Sequence, residues 1–551
     1  MNVAPMTEHH DAVIDDVKYD SHHEEGEGMN PVGPAGTDSG LVITSAFAGQ
    51  TGWPIIRKFW RLYSIGLAAS LGGMYAGYCI SAAGNVVANV GFIDQFGTVR
   101  DPTTGALSLD AQYVSFWGGF YYVAQVVFQA LSPFVTDRYG RKAAMWALCG
   151  FMLIAIILEC VAKDWKVYLV AKVFAGIATA FLGTAVMTYM SEIAIAPIRG
   201  AMLGAFSFTF ALGQFFNAIG LQILNATSPY KFRNAFYSEF VIFGVFAIVV
   251  VFLPESPTWL CLKGKHEQAK RSLGSLVGRV DGFDLDHEYA VIRHEVEDSV
   301  ALADTHGSND WAALFKWVNF KRCLAATLPL SYQNFVGVPL VFGYTTYFFQ
   351  IAGLSDAFLG TVIVYCILLL GIACSFYFVE RVGRRAIVLG SGAFMAVIDA
   401  AIGGLGFKTM TPSLGAGLIA LCSIWVFTYA LSLAPIGWIS LVELSTPRLR
   451  AKTAAVAAVL QSFNGILFSY TVPLMLSAQY AGWGTKIGLF FAGTSVLCWI
   501  PCYFLFPESK NRTYAELDEL YERGISPRKF ASTKTSVQLS VEAAAAQEGK
   551  A

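Results

Sequence analysis

The chain alternates between long apolar runs and short polar segments, and this alternation predicts its structure. A helix needs about 20 predominantly apolar residues to cross the hydrocarbon core of a bilayer. Such runs must be helical, because lipid offers no hydrogen-bond partner to unpaired backbone groups. The pattern predicts twelve spans in two sets of six: 62–82, 113–134, 143–163, 166–190, 200–223 and 236–253, and then 323–348, 357–379, 386–406, 414–437, 453–476 and 486–506.

Composition indicates that the lipid bilayer is the solvent for most of this surface. The chain is 55% hydrophobic and only 14% charged, whereas soluble domains carry roughly 25% charged residues. The net charge of −1 argues against a nucleic-acid partner. The ten cysteines are scattered, without the paired spacing of a metal site, and fit small apolar residues within the spans. We therefore predict no metal, no cofactor and no disulfide framework.

Five parts are predicted along the chain. The acidic N-terminal segment has no early apolar core, so it is expected to be a disordered tail and not a signal peptide. The polar gap between the two sets of spans carries alternating charges at helical spacing, which predicts short surface helices. No phosphate loop, metal-ligand cluster or nucleophile motif occurs, so we do not expect an enzyme. The parts are a cytoplasmic tail (1–60), a six-helix bundle (61–258), a cytoplasmic helical linker (259–321), a second six-helix bundle (322–508) and a cytoplasmic tail (509–551).

Basic residues in the short loops predict the orientation of the spans, because cytoplasmic loops carry an excess of Lys and Arg. With twelve spans, all of these loops fall on one side. That side and both termini are therefore predicted to be cytoplasmic, in a multi-pass protein of the plasma membrane. The sequon at Asn225 then faces outward, close to the membrane, as a candidate glycosylation site. The orienting residues are Arg57, Lys58, Arg61, Arg138, Arg141, Lys142, Arg381, Arg384, Arg385, Arg448, Arg450 and Lys452.

Three sequence motifs occur twice, in the same order and at nearly the same offset. "DRYGRK" at Asp137 returns as "ERVGRR" at Glu380, 243 residues later. "MSEIAIAPIRG" returns as "LVELSTPRLRA" after 251 residues, and "PESPTWL" returns as "PESKNRT" after 253. The chain is therefore a duplicated six-span unit. Transporters are commonly built from such repeats, with the substrate near the bilayer midplane between the halves.

The repeated charges predict a gate at the cytoplasmic mouth. Arginine side chains can pair there with carboxylates and with helix ends. When the charges are paired, they would hold the two halves together on the cytoplasmic side. When the pairs separate, that side could open. The alternative is that the charges serve topology alone, but the mirrored Glu and Arg positions favour a gate. The predicted gate residues are Asp137, Arg138, Arg141, Glu192 and Arg199 in the first half and Glu380, Arg381, Arg384, Glu443 and Arg450 in the second.

Together, these motifs resemble the sugar porter family of the major facilitator superfamily over residues 60–530. The C-terminal "TYAELDELYERGISPRKF" is similar to fungal members, and "SYQNFVGVPLVFGYTTYFFQIAGL" is similar to the maltose and α-glucoside permease branch. The resemblance implies an all-α membrane protein with twelve transmembrane helices in two six-helix pseudo-repeats. It also implies that the protein moves a small sugar by alternating access, with protons as a second partner in many relatives.

The resemblance further implies which residues bind the sugar. Amide side chains donate and accept hydrogen bonds toward hydroxyl groups, and an indole offers a flat apolar face with one donor. Ser207 stands where the family has glutamine and Pro339 where it has asparagine. The shorter side chain at Ser207 would leave room for a second sugar ring or for a ligand that is not a sugar. Each polar side chain could instead form an interhelical hydrogen bond. The candidates are Gln333, Asn334, Trp438, Asn464, Ser207 and Gln214.

Proton coupling is where the sequence departs most from the family. Proton-coupled relatives carry an aspartate in span 1, where this chain has Cys79, and an arginine in span 4, where it has Lys172. A carboxylate beside a cation is the simplest proton carrier, and a thiol is a poor substitute because it ionises only in the alkaline range. Glu159 is expected to pair with Lys172 across a short hairpin. Asp399 and Glu239 remain as displaced carboxylates, so proton-driven uptake and facilitated movement both stay open, with weak or absent coupling favoured.

Three functions are compatible with these residues. The first is uptake of an α-glucoside disaccharide or a hexose. The second is movement of a non-sugar or secondary metabolite by the same fold, including efflux, which the substitutions at Ser207 and Pro339 keep open. The third is a sugar sensor that does not transport. Sensors of this family tend to have a long C-terminal extension, whereas the segment after Glu508 is short, so the sensor ranks last.

Overall fold

The computed structural model describes most of the chain from Ala46 onward. The predicted tail at 1–60 and the end of the predicted C-terminal tail lie largely outside the described residues. The described residues are 46–47, 53–100, 105, 107–306, 310–354, 356–409, 411–446, 449–510, 512, 514–536 and 538–539.

Helices form the first six spans in the order that the hydrophobic pattern predicts. Span 1 is interrupted at Ser70, and span 4 contains a π-helical stretch, Leu182–Val186, a feature frequently found at functional sites. The helices are Trp60–Ala69 and Leu71–Asn85 (span 1), Ala111–Tyr139 (span 2), Arg141–Val161 (span 3), Trp165–Phe181 and Met187–Ile193 (span 4), Ala196–Thr227 (span 5) and Arg233–Phe252 (span 6).

Short elements flank span 1. A helical turn precedes it, and a second short helix follows it, capped by Asn89, whose side chain accepts a hydrogen bond from the Phe92 backbone N–H. The elements are the helices Trp53–Lys58 and Val90–Phe96, the 3₁₀ turn Val86–Ala88, and the antiparallel strands Val99–Arg100 and Leu107–Ser108.

The second six spans repeat this plan, with two of them broken. Span 7 divides into three helices and span 10 into two. The helices are Trp317–Phe335, Val338–Gly343 and Thr345–Ile351 (span 7), Ala357–Arg381 (span 8), Arg384–Leu405 (span 9), Pro412–Leu431 and Leu433–Leu444 (span 10), Arg450–Leu476 (span 11) and Ile487–Leu505 (span 12), which follows the 3₁₀ turn Gly484–Lys486.

Helices also form the polar segments outside the spans. Between spans 6 and 7 lie Pro257–Leu262, His266–Val277, Leu285–His306 and Asp310–Leu314. The third of these has 22 residues and is longer than the short helices that the charge pattern predicts. After span 12 come the helix Tyr514–Glu522 and the 3₁₀ segment Pro527–Ser532.

Ten helical segments in the described part of the chain are long and apolar enough to cross a membrane. Span 2 is not among them, because its 29 residues include many Tyr, Gln and Gly. Span 7 is not among them, because its first helix, of 19 residues, is too polar and the breaks leave its other two helices short. Span 2 packs against spans 4 and 11, and span 7 packs against spans 10 and 11. The result is a twelve-helix bundle with a helical linker between its halves.

Close helix packing holds each half together, and the halves meet along a few helices. A Cβ atom at Gly77 of span 1 would lie 1.9 Å from the Phe210 carbonyl oxygen of span 5. Small residues of this kind let helix backbones approach closely in lipid. Between the halves, span 2 packs against span 11 and span 5 against span 8. We call the end of the bundle at Arg141 and Arg384 the basic face, and the opposite end, at Asn85 and Gln479, the distal face.

Candidate functional site

Two helix breaks in the second half create the central part of the candidate site. Span 7 is interrupted after Phe335, where Gly337 has a φ of 105°, a conformation that glycine adopts without strain. Span 10 is interrupted at Ser432, with φ −125° and ψ −84°. Broken helices near the midplane expose backbone polar groups, and transporters use such breaks to bind substrate.

Gln333 connects the two breaks. Its Nε2 donates to the Leu433 carbonyl oxygen at 2.8 Å, immediately after the break in span 10. Its Oε1 accepts a hydrogen bond of 3.0 Å from the Tyr429 hydroxyl, immediately before that break. Gln333 was predicted from the family resemblance as a sugar ligand, and here both ends of its amide contact span 10. Gln333 therefore positions the broken segments relative to each other.

Three other predicted amides are buried without a side-chain hydrogen bond among the described residues. Asn334 is 9% exposed, Asn464 6% and Gln214 4%. Buried amides normally find partners, so these groups can hydrogen-bond a ligand. Asn217, one turn along span 5 from Gln214, is fully buried with neither end of its amide paired. Sequence reasoning did not select Asn217, although its spacing from Gln214 places both on one side of a helix.

The other two predicted ligands are more open. Trp438 lies in the second helix of span 10 and is 51% exposed. Ser207 in span 5 is also exposed. In this conformation the structure does not enclose either side chain, whereas the amides of spans 5, 7 and 11 are buried.

The distal face is closed by hydrogen bonds between the halves. Asn85 of span 1 accepts, through Oδ1, a 3.1 Å bond from the Thr346 backbone N–H in span 7, and its Nδ2 donates to Ser81. The Ser81 hydroxyl donates to the hydroxyl of Tyr365 in span 8, at 3.2 Å. Next to this network, a Cβ atom at Gly84 would lie 1.3 Å from the Gly343 carbonyl oxygen. Spans 1 and 7 are therefore in backbone contact at this point.

A second set of distal contacts involves the loop after span 11. The Gln479 side chain accepts from the Ala111 backbone N–H and donates to the Leu109 carbonyl oxygen, at 3.3 and 2.9 Å. The Tyr480 hydroxyl bonds Asp110 at 3.2 Å. The start of span 2 is thus attached to the second half, and both sets of contacts keep the distal face shut.

The basic face of the first half carries a compact charge cluster. Arg141 donates through Nη2 to Glu192 at 2.6 Å and through Nη1 to Asp137 at 3.2 Å. Glu255, from the "PESPTWL" motif, accepts from the Arg141 and Lys142 backbone N–H groups at the start of span 3. A carboxylate at a helix N-terminus is favoured by the helix dipole. One guanidinium and one capping carboxylate therefore connect the ends of spans 2, 3, 4 and 6.

The second half repeats this cluster. Arg384 donates through Nη2 to Glu443 at 3.1 Å. Glu508, from the "PESKNRT" motif, accepts from the Arg384 backbone N–H at 2.7 Å and from the Arg385 backbone N–H at 3.1 Å. Ser509 adds a 2.6 Å hydrogen bond to Glu443. The sequence repeat is thus also a repeat of contacts.

The remaining predicted gate residues contact their own half or fall outside the described side chains. The guanidinium of Arg138 lies 5.5 Å from the ring centre of Tyr139, and that of Arg381 lies 4.7 Å from the ring centre of Tyr377. Arg199 donates to the Ala194 carbonyl oxygen. The side chains of Glu380 and Arg450 are not among those described. Among the described residues, no ion pair joins one six-helix half to the other at the basic face.

The predicted coupling residues of the first half form a buried cluster. Lys172 and Glu159 form an ion pair of 2.7 Å, and each side chain is 1% exposed. Glu239 of span 6 is equally buried, and neither of its carboxylate oxygens has a hydrogen-bond partner. Cys79 is 1% exposed. Lys172 therefore has two acidic neighbours: Glu159, which is paired with it, and Glu239, whose carboxylate oxygens have no described hydrogen-bond partner.

Two predicted residues lie away from these clusters. Asp399 is buried in span 9, with its Oδ2 unpartnered. Asn225 lies half-buried in the last turn of span 5, towards the distal face. No group of His, Cys, Asp and Glu in the described segments could hold a metal ion.

Comparison with known proteins places this geometry in a family. The family model described as "Sugar (and other) transporter" matches residues 65–521. The chain belongs to this sugar transporter family. It is 30% identical over 417 residues to the general alpha-glucoside permease of Saccharomyces cerevisiae, and the match covers 73% of this chain and 66% of the permease. It is 31% identical over 431 residues to the maltose permease MAL31 of the same yeast, covering 75% and 67%.

These alignments leave part of the relatives uncovered, since the chain spans about two thirds of the length of those two permeases. A broader match is the MFS transporter fmqE of Aspergillus fumigatus, which is 26% identical over 84% of this chain and 86% of the relative. Sugar permeases predominate among these sugar transporter family members, which does not favour the non-sugar alternative.

Solved structures share the fold. The inward-open xylose transporter XylE from E. coli superposes with a TM-score of 0.68 at 21% identity, over 83% of this chain and 99% of that one. The same transporter, described as a major facilitator superfamily proton:xylose symporter and bound to a glucose derivative, gives a TM-score of 0.64 at 22% identity. These similarities establish the major facilitator fold for this sugar transporter family member.

Proposed function

We propose that this protein carries a sugar, an α-glucoside disaccharide or a hexose, across a membrane by alternating access. The observation that carries the proposal is the set of buried amides without a side-chain hydrogen bond to a described residue, comprising Asn334 in the broken span 7, Asn464 in span 11 and Gln214 in span 5. Amides are suited to hydroxyl-rich ligands because they donate and accept at once. The names of the alpha-glucoside and maltose permeases support this substrate class.

The asymmetry between the two faces supports alternating access. Asn85 and Gln479 join the halves at the distal face, while the ion pairs described at the basic face each lie within one half. We infer that this state is the one that opens toward the basic face. For sugar to be released and rebound, the distal contacts must break and the basic ends must come together. We propose that the ten predicted gate residues control this second movement.

The proposed orientation places the basic face in the cytoplasm, with both termini on that side, because basic loops are retained there. We propose a multi-pass protein of the plasma membrane with the predicted halves at 61–258 and 322–508. Asn225, in the last turn of span 5, then lies at the outer surface of the membrane and is a candidate glycosylation site.

The substrate proposal is tested by uptake of labelled maltose, glucose and a non-sugar in a host without sugar transporters. We expect uptake of at least one sugar and none of the non-sugar. Gln333→Ala should lower uptake about 30-fold, since it removes two hydrogen bonds of about 1 kcal/mol each. Trp438→Ala should also lower uptake. Gln268→Ala, at an exposed position in the linker, is the control. Unchanged uptake in both site variants would reject this site.

We propose that proton coupling is weak or absent. Cys79 replaces the expected carboxylate, and Lys172 is already paired with Glu159. Glu239 is the remaining carboxyl in this cluster, with Lys172 and Glu159 as its charged neighbours. Sugar added to de-energised cells should therefore not alkalinise the medium. A proton influx that accompanies sugar entry would contradict the proposal, and its loss in Glu239→Gln would assign the proton to Glu239.

A further inference from the structure

A basic cavity lies outside the transport site, where span 1 meets the linker. Its volume is about 490 Å³. The beginning of span 1 forms one wall, and the end of the linker helix His266–Val277 forms the other. The side chains that matter for its chemistry are Lys58, Trp60, Arg61 and Arg279.

The cavity concentrates positive charge that no described carboxylate neutralises. Lys58, Arg61 and Arg279 are exposed, and none of them forms an ion pair with a described residue. Among the described residues, no carboxylate lines the cavity; Asp281 and Asp284 follow in the next loop but are not part of the wall. Unpaired cations around a concave surface attract an anion, because their potentials add.

The local backbone fixes the position of one of these cations. Gly278 ends the linker helix with a φ of 73°. A Cβ atom there would lie 3.0 Å from Arg61 Cδ and 3.1 Å from Arg61 Nη1. The glycine thus leaves space for the Arg61 side chain to lie over the turn. Carbonyl groups at a helix C-terminus carry partial negative charge, which favours a cation at this position.

The cavity is also placed at the membrane surface. Trp60 is the first residue of span 1 and is 66% exposed. Tryptophan is enriched where spans meet the headgroup region, because its ring is amphipathic. A ligand with a phosphate group and an acyl tail could place the phosphate among the cations and the tail beside this indole.

We propose that this cavity binds the phosphorylated headgroup of an anionic phospholipid in the cytoplasmic leaflet. Basic pockets on that side of a membrane protein recognise such headgroups. The proposal relies on the proposed orientation of the bundle and not on the identity of the sugar. Two other occupants are chemically compatible: a soluble phosphate compound and the acidic segment 1–45 of this chain. The position of Trp60 favours the lipid.

The test uses the full-length protein, purified in detergent with phosphatidylcholine. Phosphatidylinositol 4,5-bisphosphate is titrated in, and bound lipid is counted by native mass spectrometry. We expect saturable binding of one phosphoinositide. Arg61→Gln/Arg279→Gln should weaken it about 30-fold, because two cations near an anionic headgroup are lost. Lys263→Gln/Lys265→Gln removes the same charge from an exposed part of the linker outside the cavity and should leave binding unchanged.

Three results would overturn the proposal. The first is equal binding by the two double variants, which would show that the cavity is not the site. The second is equally tight binding of inositol trisphosphate, which has no acyl chains and would identify a soluble ligand. The third is phosphoinositide binding that appears only after residues 1–45 are deleted, which would make the acidic segment the occupant. Sugar uptake is measured separately, so failure of the lipid proposal is distinguishable from failure of the transport proposal.

Discussion

Replacing Gly84 by alanine is expected to lower sugar uptake about 100-fold. A Cβ atom there would lie 1.3 Å from the Gly343 carbonyl oxygen and 2.5 Å from its carbon. Such an overlap between two backbones can be relieved only by separating spans 1 and 7, at about 3 kcal/mol or more. The distal face would then stay open, and the transporter could not complete its cycle. Uptake of labelled sugar, normalised to protein at the cell surface, measures the effect.

The matched control is Gly150→Ala in span 3, where an added Cβ meets no atom within 4 Å. Because both substitutions place alanine in a membrane helix, the control separates the clash from a general effect on helix stability. Gly150→Ala should transport normally. If Gly84→Ala also transported at the normal rate, the distal contact between spans 1 and 7 would have no role in the cycle.

Replacing Lys172 by methionine is expected to destabilise the first half severely. Lys172 and Glu159 are each 1% exposed, and the buried Glu239 is nearby. Removing one member of a buried ion pair costs about 3–5 kcal/mol, because it leaves the other charge unpaired. Lys172 is also the positive neighbour that offsets Glu239 among the described residues. We expect most of the protein to be lost as aggregate in fluorescence-detected size-exclusion chromatography.

The double variant Glu159→Gln/Lys172→Met tests the cause of that loss. Removing both charges together takes away the Glu159 carboxylate that the single variant leaves unpaired, together with its repulsion of Glu239. Replacing a buried pair by neutral side chains is often tolerated. The double variant should therefore recover much of the monodisperse protein. A single variant Lys172→Met that is as stable as the unmodified protein would show that the pair contributes little. A double variant worse than the single would show that the charge is not the cause.

The sequence predicted the charge clusters more completely than the central site. Arg141 and Arg384 recur in repeated motifs with Glu192 and Glu443, and charges of opposite sign at mirrored positions can be paired without knowing the fold. The prediction that these charges also lock the two halves together needs contacts between the halves, which the pairing within each motif does not supply. The described clusters bond within each half, whereas hydrogen bonds at the distal face, among them those of Asn85 and Gln479, join the halves.

The helix breaks were not predicted, for a physical reason. Hydropathy is averaged over about 20 residues, so a break of one or two residues disappears within an apolar run. A local signal was present in span 7, where Gly337 is followed by Pro339. Glycine ends helices and proline starts them. Span 10 has no glycine at its break, but Pro435 lies in the first turn of the helix that follows Ser432. The bond from Gln333 to Leu433 joins residues 100 positions apart, which no local pattern reveals.

The central claim is that the two halves pivot about a polar site, so that one face closes as the other opens. Spin labels at Tyr139 and Tyr377 on the basic face, and at Val90 and Phe407 towards the distal face, occupy exposed positions on opposite halves. Distances are measured by pulsed electron paramagnetic resonance, with the exposed Cys366 and Cys374 replaced by serine. Conditions that favour the state open at the distal face, such as saturating sugar, should shorten the distance between the labels at Tyr139 and Tyr377. The same conditions should lengthen the distance between the labels at Val90 and Phe407. Two distances that both stay fixed, or that change in the same direction, would contradict the account.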